Sequence, residues 1–279
     1  MWTRKMVSTK RGDFEVFVCG EGEPLCVTHL YSEFNERGDY FSDRFVNQFT
    51  VYLVNLKETG SSSRVKDDKE LSMKETVKDL EALRKALNVE KWGFAGHSTG
   101  GMIGLVYGAS YPESLTKLMV GGAAASQEYM EHPGSIYSRQ NPLNPRLKEI
   151  FSILKSKEAS KEEKAKAGRE WTEMSLHHPE KFDEYFAKPS SGRVVNRRLD
   201  YYSFQELPEY DIREDLKNIG VPTIVYCGRH DAQCPLDCSK EIHDLIPASK
   251  LYIFEHSNHV PYLEEQELFD RMVADFSQL

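Results

Sequence analysis

Gly96-His97-Ser98-Thr99-Gly100-Gly101 surrounds a serine with three glycines. A serine can be thrust out on a strained strand-to-helix turn only where its neighbours let the backbones approach, and glycine allows that approach. Its hydroxyl is a weak nucleophile until an imidazole accepts the proton, and a carboxylate must hold that imidazole in the useful tautomer. Two more stretches supply those groups. Tyr226-Cys227-Gly228-Arg229-His230-Asp231 ends in a carboxylate, and Glu255-His256-Ser257-Asn258-His259 ends in an imidazole. With Ser98 as nucleophile, His259 as general base and Asp231 as the acid that orients it, the expected chemistry is two-step acyl transfer. Attack on a carbonyl carbon is followed by release of the acyl group to water.

Each of these residues needs an element to carry it. Ser98 follows the apolar run Trp92-Gly93-Phe94-Ala95 and precedes a helical run from Met102 to Ala109, which predicts a strand, a tight turn and a helix. Such a helix directs its first free N–H groups and the positive end of its dipole toward an anion forming beside Ser98. Asp231 lies just past a predicted strand Thr223 to Cys227, and His259 lies past another, Leu251 to Phe254. Open α/β sheets place their active groups at such strand ends. Further strands are expected at Phe14 to Cys19, Leu25 to His29, Val51 to Leu56 and Leu118 to Gly121. Helices are expected from Ser72 to Leu87, with a Ser72/Glu75 capping-box pattern, and at Cys238 to Ile246 and Glu264 to Phe276. The alternation predicts an α/β fold with helices on both faces of the sheet.

Between Ala125 and Asp211 the alternation stops. That stretch offers a charged segment, Lys155 to Glu170, an aromatic-bearing one, Trp171 to Phe186, and several prolines. It reads as a helical insertion at 126–210 in a core formed by 1–125 and 211–279, with the Lys/Glu run as a solvated helix face. The chain of 279 residues carries a formal net charge of −8, which argues against nucleic acid as partner. It has no apolar run of membrane-spanning length and no signal-peptide pattern, so no membrane partner and a cytoplasmic location are expected. Five cysteines form a sparse, odd set and read as reduced thiols. Cys227, Cys234 and Cys238 with His230 lack a metal-ligand spacing, and no phosphate-binding glycine motif occurs, so neither metal nor cofactor is expected.

Each residue has a simpler role open to it. Ser98 is also a residue type that caps helices, Asp231 one that closes turns, and His256 a neighbour able to replace His259. The Asn258-His259-Val260-Pro261 setting favours His259, and His230 reads as a residue of the loop beside Asp231.

The serine elbow, the order Ser98, Asp231, His259, the stretch Tyr111-Pro112-Glu113-Ser114-Leu115 and the stretch Gly220-Val221-Pro222-Thr223 together resemble the α/β-hydrolase fold family. Within it, the chain is similar to the cap-bearing branch that includes proline iminopeptidase-like enzymes. The resemblance implies a mostly parallel eight-stranded sheet with a helical cap inserted near Gly122. It also implies an oxyanion hole made by the backbone N–H groups of Thr99 and Tyr31. Two stretches depart from the family pattern. His29-Leu30-Tyr31-Ser32 has leucine where the family carries glycine, and Asn55-Leu56-Lys57-Glu58-Thr59-Gly60 replaces an Asp-x-x-Gly stretch. A small-molecule carboxylic ester is the expected substrate. A proline iminopeptidase-like alternative needs an acidic anchor for an amine, for which Glu206 and Glu209 are candidates. A lyase or a ligand-binding or signalling module on the same fold is the alternative of another class. Trp171, Tyr185, Tyr201, Tyr202 and Phe204 are the aromatic candidates for lining a pocket. Oligomeric state is left open.

Overall fold

The computed structural model describes residues 1–279, and eight of its strands join into one sheet. The strands are β1 (Thr3–Thr9), β2 (Gly12–Cys19), β3 (Glu23–Val27), β4 (Phe49–Val54), β5 (Trp92–His97), β6 (Leu115–Gly121), β7 (Thr223–Gly228) and β8 (Ser249–Phe254). Their order across the sheet is 1-2-4-3-5-6-7-8. β2 runs antiparallel to β1 and β4, and all other neighbours are parallel. Every residue of β5 and of β7 is buried, as befits central parallel strands covered on both faces. The edge strand β1 escapes sequence reading because Thr-Arg-Lys-Met-Val-Ser-Thr is polar and exposed along most of its length. Such charges on an edge discourage pairing with another chain.

Helices α1 (Met73–Ala86), α2 (Thr99–Ser110) and α6 (Leu236–Leu245) pack on one face of the sheet, and α7 (Gln266–Ser277) on the other. The Ser72 hydroxyl caps α1 by accepting from Glu75 N–H, but the expected reciprocal bond is missing. The Glu75 carboxylate instead takes Arg11 and Lys78. α2 lies so close to the sheet that a Cβ on Gly104 would meet the Phe94 ring at 2.9 Å and one on Gly108 would meet Leu118 at 3.0 Å. The expected helix Glu264 to Phe276 is broken into a turn, Pro261–Glu264, and α7. At the break, Glu265 takes an extended φ of −127°, and its carboxylate accepts from His256 N–H and the Ser257 hydroxyl.

Between β6 and β7 the chain makes a helical excursion. It contains α3 (Asn144–Lys155), α4 (Lys161–Glu173) and α5 (Asn196–Tyr201), the last continuing through a wider turn at Tyr202–Glu206. The two ends of the excursion meet where Ser126 bridges to Asp211. One extended piece within it, Arg193–Val194, pairs antiparallel with Ser32–Glu33 of the loop after β3. Along α4 only Ala167 is buried, so the Lys/Glu run is solvated. No helix is long and apolar enough to cross a membrane.

Candidate active site

β5 ends at His97 and α2 begins at Thr99, leaving Ser98 at the apex with φ 56° and ψ −127°. This is a conformation an L-residue holds only under constraint, at a cost of about 1–3 kcal/mol. The glycines supply that constraint. A Cβ on Gly96 would lie 2.1 Å from Gly100 O, and one on Gly100 would lie 2.5 Å from Thr28 O, so elbow and sheet interlock backbone to backbone. Ser98 N–H is tied to Gly121 O at 2.8 Å, and Ser98 occupies the N-cap position without making a side-chain cap bond. Its hydroxyl is therefore not spent on the helix.

Asp231 and His259 meet across the ends of β7 and β8. His259 Nδ1 lies 3.0 and 2.9 Å from the two Asp231 carboxylate oxygens, and both residues are 5% exposed. Oδ1 of Asp231 also accepts from Gln233 N–H and Cys234 N–H, which locks the carboxylate. His259 Nε2 is left without a partner. Ser98 and His259 line one cavity of about 280 Å³, with no hydrogen bond between them. In ligand-free sites such bonds are commonly long and tighten with substrate. His256 is exposed, with its N–H on Glu265, while His230 stacks on His177 with ring centres 4.2 Å apart. Neither hydrogen-bonds to the Asp231 carboxylate.

The backbone N–H groups of Thr99 and Tyr31 have no acceptor within the protein. Leu30 is 1% exposed, sits in the core and has no left-handed φ, so the loop accepts a Cβ where the family pattern has glycine. His29 spans this loop and the elbow, with Nδ1 2.9 Å from the Ser32 hydroxyl and Nε2 3.1 Å from the Thr99 hydroxyl. Burial, aided by the charges of His259 and Arg198, pushes its pKa down to about 3, so the ring is neutral. In the second divergent loop, Asn55 holds the chain instead of a carboxylate. Its side-chain oxygen accepts from Phe34 N–H, and its amide donates to Phe34 O and Glu15.

Other contributors carried no sequence signal of their own. His97 is 8% exposed, with Nδ1 2.9 Å from the Tyr226 hydroxyl and its ring 4.6 Å from that of His259. Burial holds its pKa well below the ordinary value, so it too is neutral. Asp39 lines the cavity beside Tyr40 and Tyr262. Burial outweighs its bonds from Ser42 and pushes its carboxyl up to about 6.

The aromatic expectation is corrected in part, since only Trp171 of the five candidates lines the cavity. Tyr202 is buried against the Tyr129 hydroxyl, Tyr185 packs with Leu176 and Leu263, and Phe204 is 62% exposed. Glu206 does not line the cavity either: one carboxylate oxygen accepts from Met73 N–H at the start of α1, and the other is buried without a partner. No three His, Cys, Asp or Glu side chains gather where they could hold a metal ion, and all five cysteines are free thiols.

A mostly parallel sheet in this order, with a serine elbow after its fifth strand, defines an α/β hydrolase. The chain belongs to the alpha/beta hydrolase fold family, matching it over residues 28–266, and is a hydrolase. It is 26% identical to a proline iminopeptidase of Heyndrickxia coagulans over 236 residues, 81% of this chain and 80% of that one. It is 25% identical to the AB hydrolase superfamily protein YisY of Bacillus subtilis over 262 residues, 92% of each. Among solved structures, an alpha/beta fold family hydrolase from Bacillus anthracis str. Sterne is 49% identical, with a TM-score of 0.97 and 99% of both chains covered. An esterase from Exiguobacterium antarcticum shares the fold at 21% identity and a TM-score of 0.72, over 99% of this chain and 100% of that one.

Proposed function

We propose that the protein is a serine hydrolase that cleaves a small-molecule carboxylic ester through an acyl-enzyme on Ser98. The observation carrying this reading is the buried Asp231–His259 pair, whose imidazole lines one cavity with a serine hydroxyl free of the helix it caps. Because Asp231 occupies Nδ1, the neutral imidazole carries its proton there and offers the Nε2 lone pair to Ser98 Oγ. As Oγ attacks the carbonyl carbon, His259 takes its proton and Asp231 stabilises the imidazolium. The carbonyl oxygen gains negative charge against Thr99 N–H and Tyr31 N–H. Collapse expels the alcohol, which receives the proton from His259. A water then repeats the sequence on the acyl-enzyme and frees the acid.

The excursion over 126–210 acts as a cap, contributing Trp171, Ser190 to Gly192 and Val194 to the cavity. A volume of about 280 Å³ favours a short acyl group, since sites for drug-sized ligands span about 300–1,000 Å³. Amide cleavage after an N-terminal proline is the second reading, carried by the relatives named proline iminopeptidase.

Ser98→Ala should fold normally, lose fluorophosphonate labelling and lower kcat by about 10³- to 10⁶-fold. Undiminished turnover in that variant refutes the serine mechanism. A panel of short-chain esters run beside a prolyl arylamide separates the two substrate readings.

A further inference from the structure

We propose that Arg198, on helix α5 of the excursion, holds and polarises the Leu30–Tyr31 peptide so that Tyr31 N–H is presented to the oxyanion. The inference rests on the reading of Ser98 and Tyr31 given above.

Arg198 is 2% exposed and makes no ion pair. Its guanidinium is instead spread over neutral acceptors. Nε donates to Leu30 O, one terminal nitrogen to Lys57 O at 3.0 Å, and the other to Leu71 O at 3.3 Å and the Thr76 hydroxyl at 3.0 Å. Carboxylates of Glu206, Asp79 and Glu58 act on it only from a distance. A buried cation without a bonded anion is costly, and one that served only to tie loops together could be replaced by a neutral donor. Burial lowers its pKa to about 10, which leaves it charged at neutral pH.

Peptide geometry gives the charge a use. Leu30 C=O and Tyr31 N–H belong to the same peptide group, and no peptide bond in the chain is cis, so the two point in opposite directions. The carbonyl end is gripped by Arg198, and the N–H end points away from it with no acceptor in the protein. A cation at the carbonyl draws electron density through the amide and makes the opposite N–H a stronger donor. Tyr31 O is held as well, by Val195 N–H at 2.8 Å, and Ser32 pairs with Val194. Residues 193–198 thus fix the peptide on both sides. The field of Arg198 already reaches the elbow, since it helps keep His29, the partner of the Thr99 hydroxyl, neutral. Negative charge developing on the substrate oxygen then supplies the anion that Arg198 lacks. The stabilisation therefore grows in the transition state and is small in the ground state.

The test uses Arg198→Lys, which keeps a charge but loses the fork that reaches Leu30, with Thr76→Val as a control that removes a different acceptor of Arg198. Affinity for butylboronic acid, which forms a tetrahedral adduct with an activated serine, is measured beside kcat and KM for a short ester. Arg198→Lys should weaken the adduct about 10- to 100-fold and lower kcat by the same factor, with KM moving less than about threefold. Thr76→Val should leave adduct affinity within about threefold. A crystal structure of the wild-type adduct should place Tyr31 N about 2.7–3.1 Å from the boronate oxygen, and this decides the matter alone if Arg198→Lys does not fold. Unchanged adduct affinity in folded Arg198→Lys, equal weakening in both variants, or a boronate oxygen away from Tyr31 N overturns the proposal while leaving Ser98 as nucleophile. No adduct on wild-type Ser98, together with full activity in Ser98→Ala, overturns the parent reading instead.

Discussion

Gly100→Ala separates the demands of folding from those of catalysis. Gly100 is the second residue of α2, and a methyl there would sit 2.5 Å from Thr28 O, 3.5 Å from Thr28 C and 3.6 Å from His29 Cα. All three are backbone atoms of the segment leading to Tyr31, so no side chain can rotate away. Restoring an ordinary contact of 3.4 Å requires the start of α2 and the end of β3 to separate by about 0.9 Å. For stability the effects oppose one another. Overpacking costs about 1–3 kcal/mol. Gly100 has no left-handed φ, so alanine recovers about 1 kcal/mol of helix propensity and chain entropy. A net loss of about 0–2 kcal/mol leaves the protein folded. Catalysis has no such compensation, because the separation pulls Thr99 N–H away from Tyr31 N–H. Losing one oxyanion donor typically costs about 10²- to 10³-fold in kcat. We expect a lowered but cooperative melt, KM for a short ester within about threefold, and kcat down about 10²-fold. A folded variant with kcat within about threefold of wild type would show that the two N–H groups do not act together on one oxygen.

Two pH-dependent outcomes follow from buried carboxylates. Burial raises the pKa of Glu81, but hydrogen bonds from Arg84, Tyr107 and Ser114 outweigh it and hold the value at about 2, below the ordinary 4.5. The pair thus stabilises the fold by about 3 kcal/mol above pH 4.5, and this is lost as pH falls through 2. Glu81→Gln should be less stable in denaturant melts at pH 7 and equal to wild type near pH 2, and a pH-independent gap would refute this. Asp39, raised by burial to about 6, makes the cavity negative as pH rises through that value. Asp39→Asn should raise KM for an amine-bearing ester about tenfold at pH 8 and not at pH 5, with a neutral ester unaffected. The same KM ratio at both pH values would count against a charge effect.

The core strands and α1 were legible because their burial is written in the residue pattern: β5 and β7 carry the apolar runs Trp92–Ala95 and Ile224–Cys227, and α1 repeats its buried face every three to four residues. The positions of Ser98, Asp231 and His259 at strand ends were legible for the same reason. What the sequence concealed depends on long-range partners. Glu264 and Glu265 read as helix residues, yet the structure uses their carboxylates to hold the backbone of His177, Asn258 and His256. Arg197 and Arg198 are neighbours of the same residue type. Arg197 is exposed and paired with Asp68 and Glu58, whereas Arg198 turns fully inward. No local pattern separates two adjacent arginines, since the difference lies in carbonyls contributed by Leu30, Lys57 and Leu71. Tyr40, Phe41 and Tyr262 on the cavity wall were equally hidden, because they come from core loops and not from the aromatic excursion where a pocket was sought.

The excursion takes part in the geometry of the site as well as covering it. His259 N–H bonds to Ser175 O at 3.1 Å, and the Asn258 amide reaches Met174 O. On the acid loop, the Gln233 amide bonds to the Ser175 hydroxyl at 2.8 Å, while Ile136 N–H takes Ala232 O at 2.7 Å. The oxyanion loop is held by Val195 and Arg198. Swinging the whole excursion away would release all three loops at once and leave buried carbonyls and N–H groups unpaired, at about 1–3 kcal/mol for each group not rehydrated. The α3–α4 pair is bound differently. Arg146 grips Glu170, and Phe151 packs edge-on against Trp171, so this pair is held together largely by its own contacts. Trp171 is also on the cavity wall, and the Ser175 hydroxyl bonds back to Trp171 O at 3.4 Å, so a shift of α4 that moves Trp171 also moves the residue that holds His259 and Gln233. Opening the cavity at Trp171 would therefore disturb the acid and base loops, while the oxyanion peptide keeps its own holds from Val195 and Arg198.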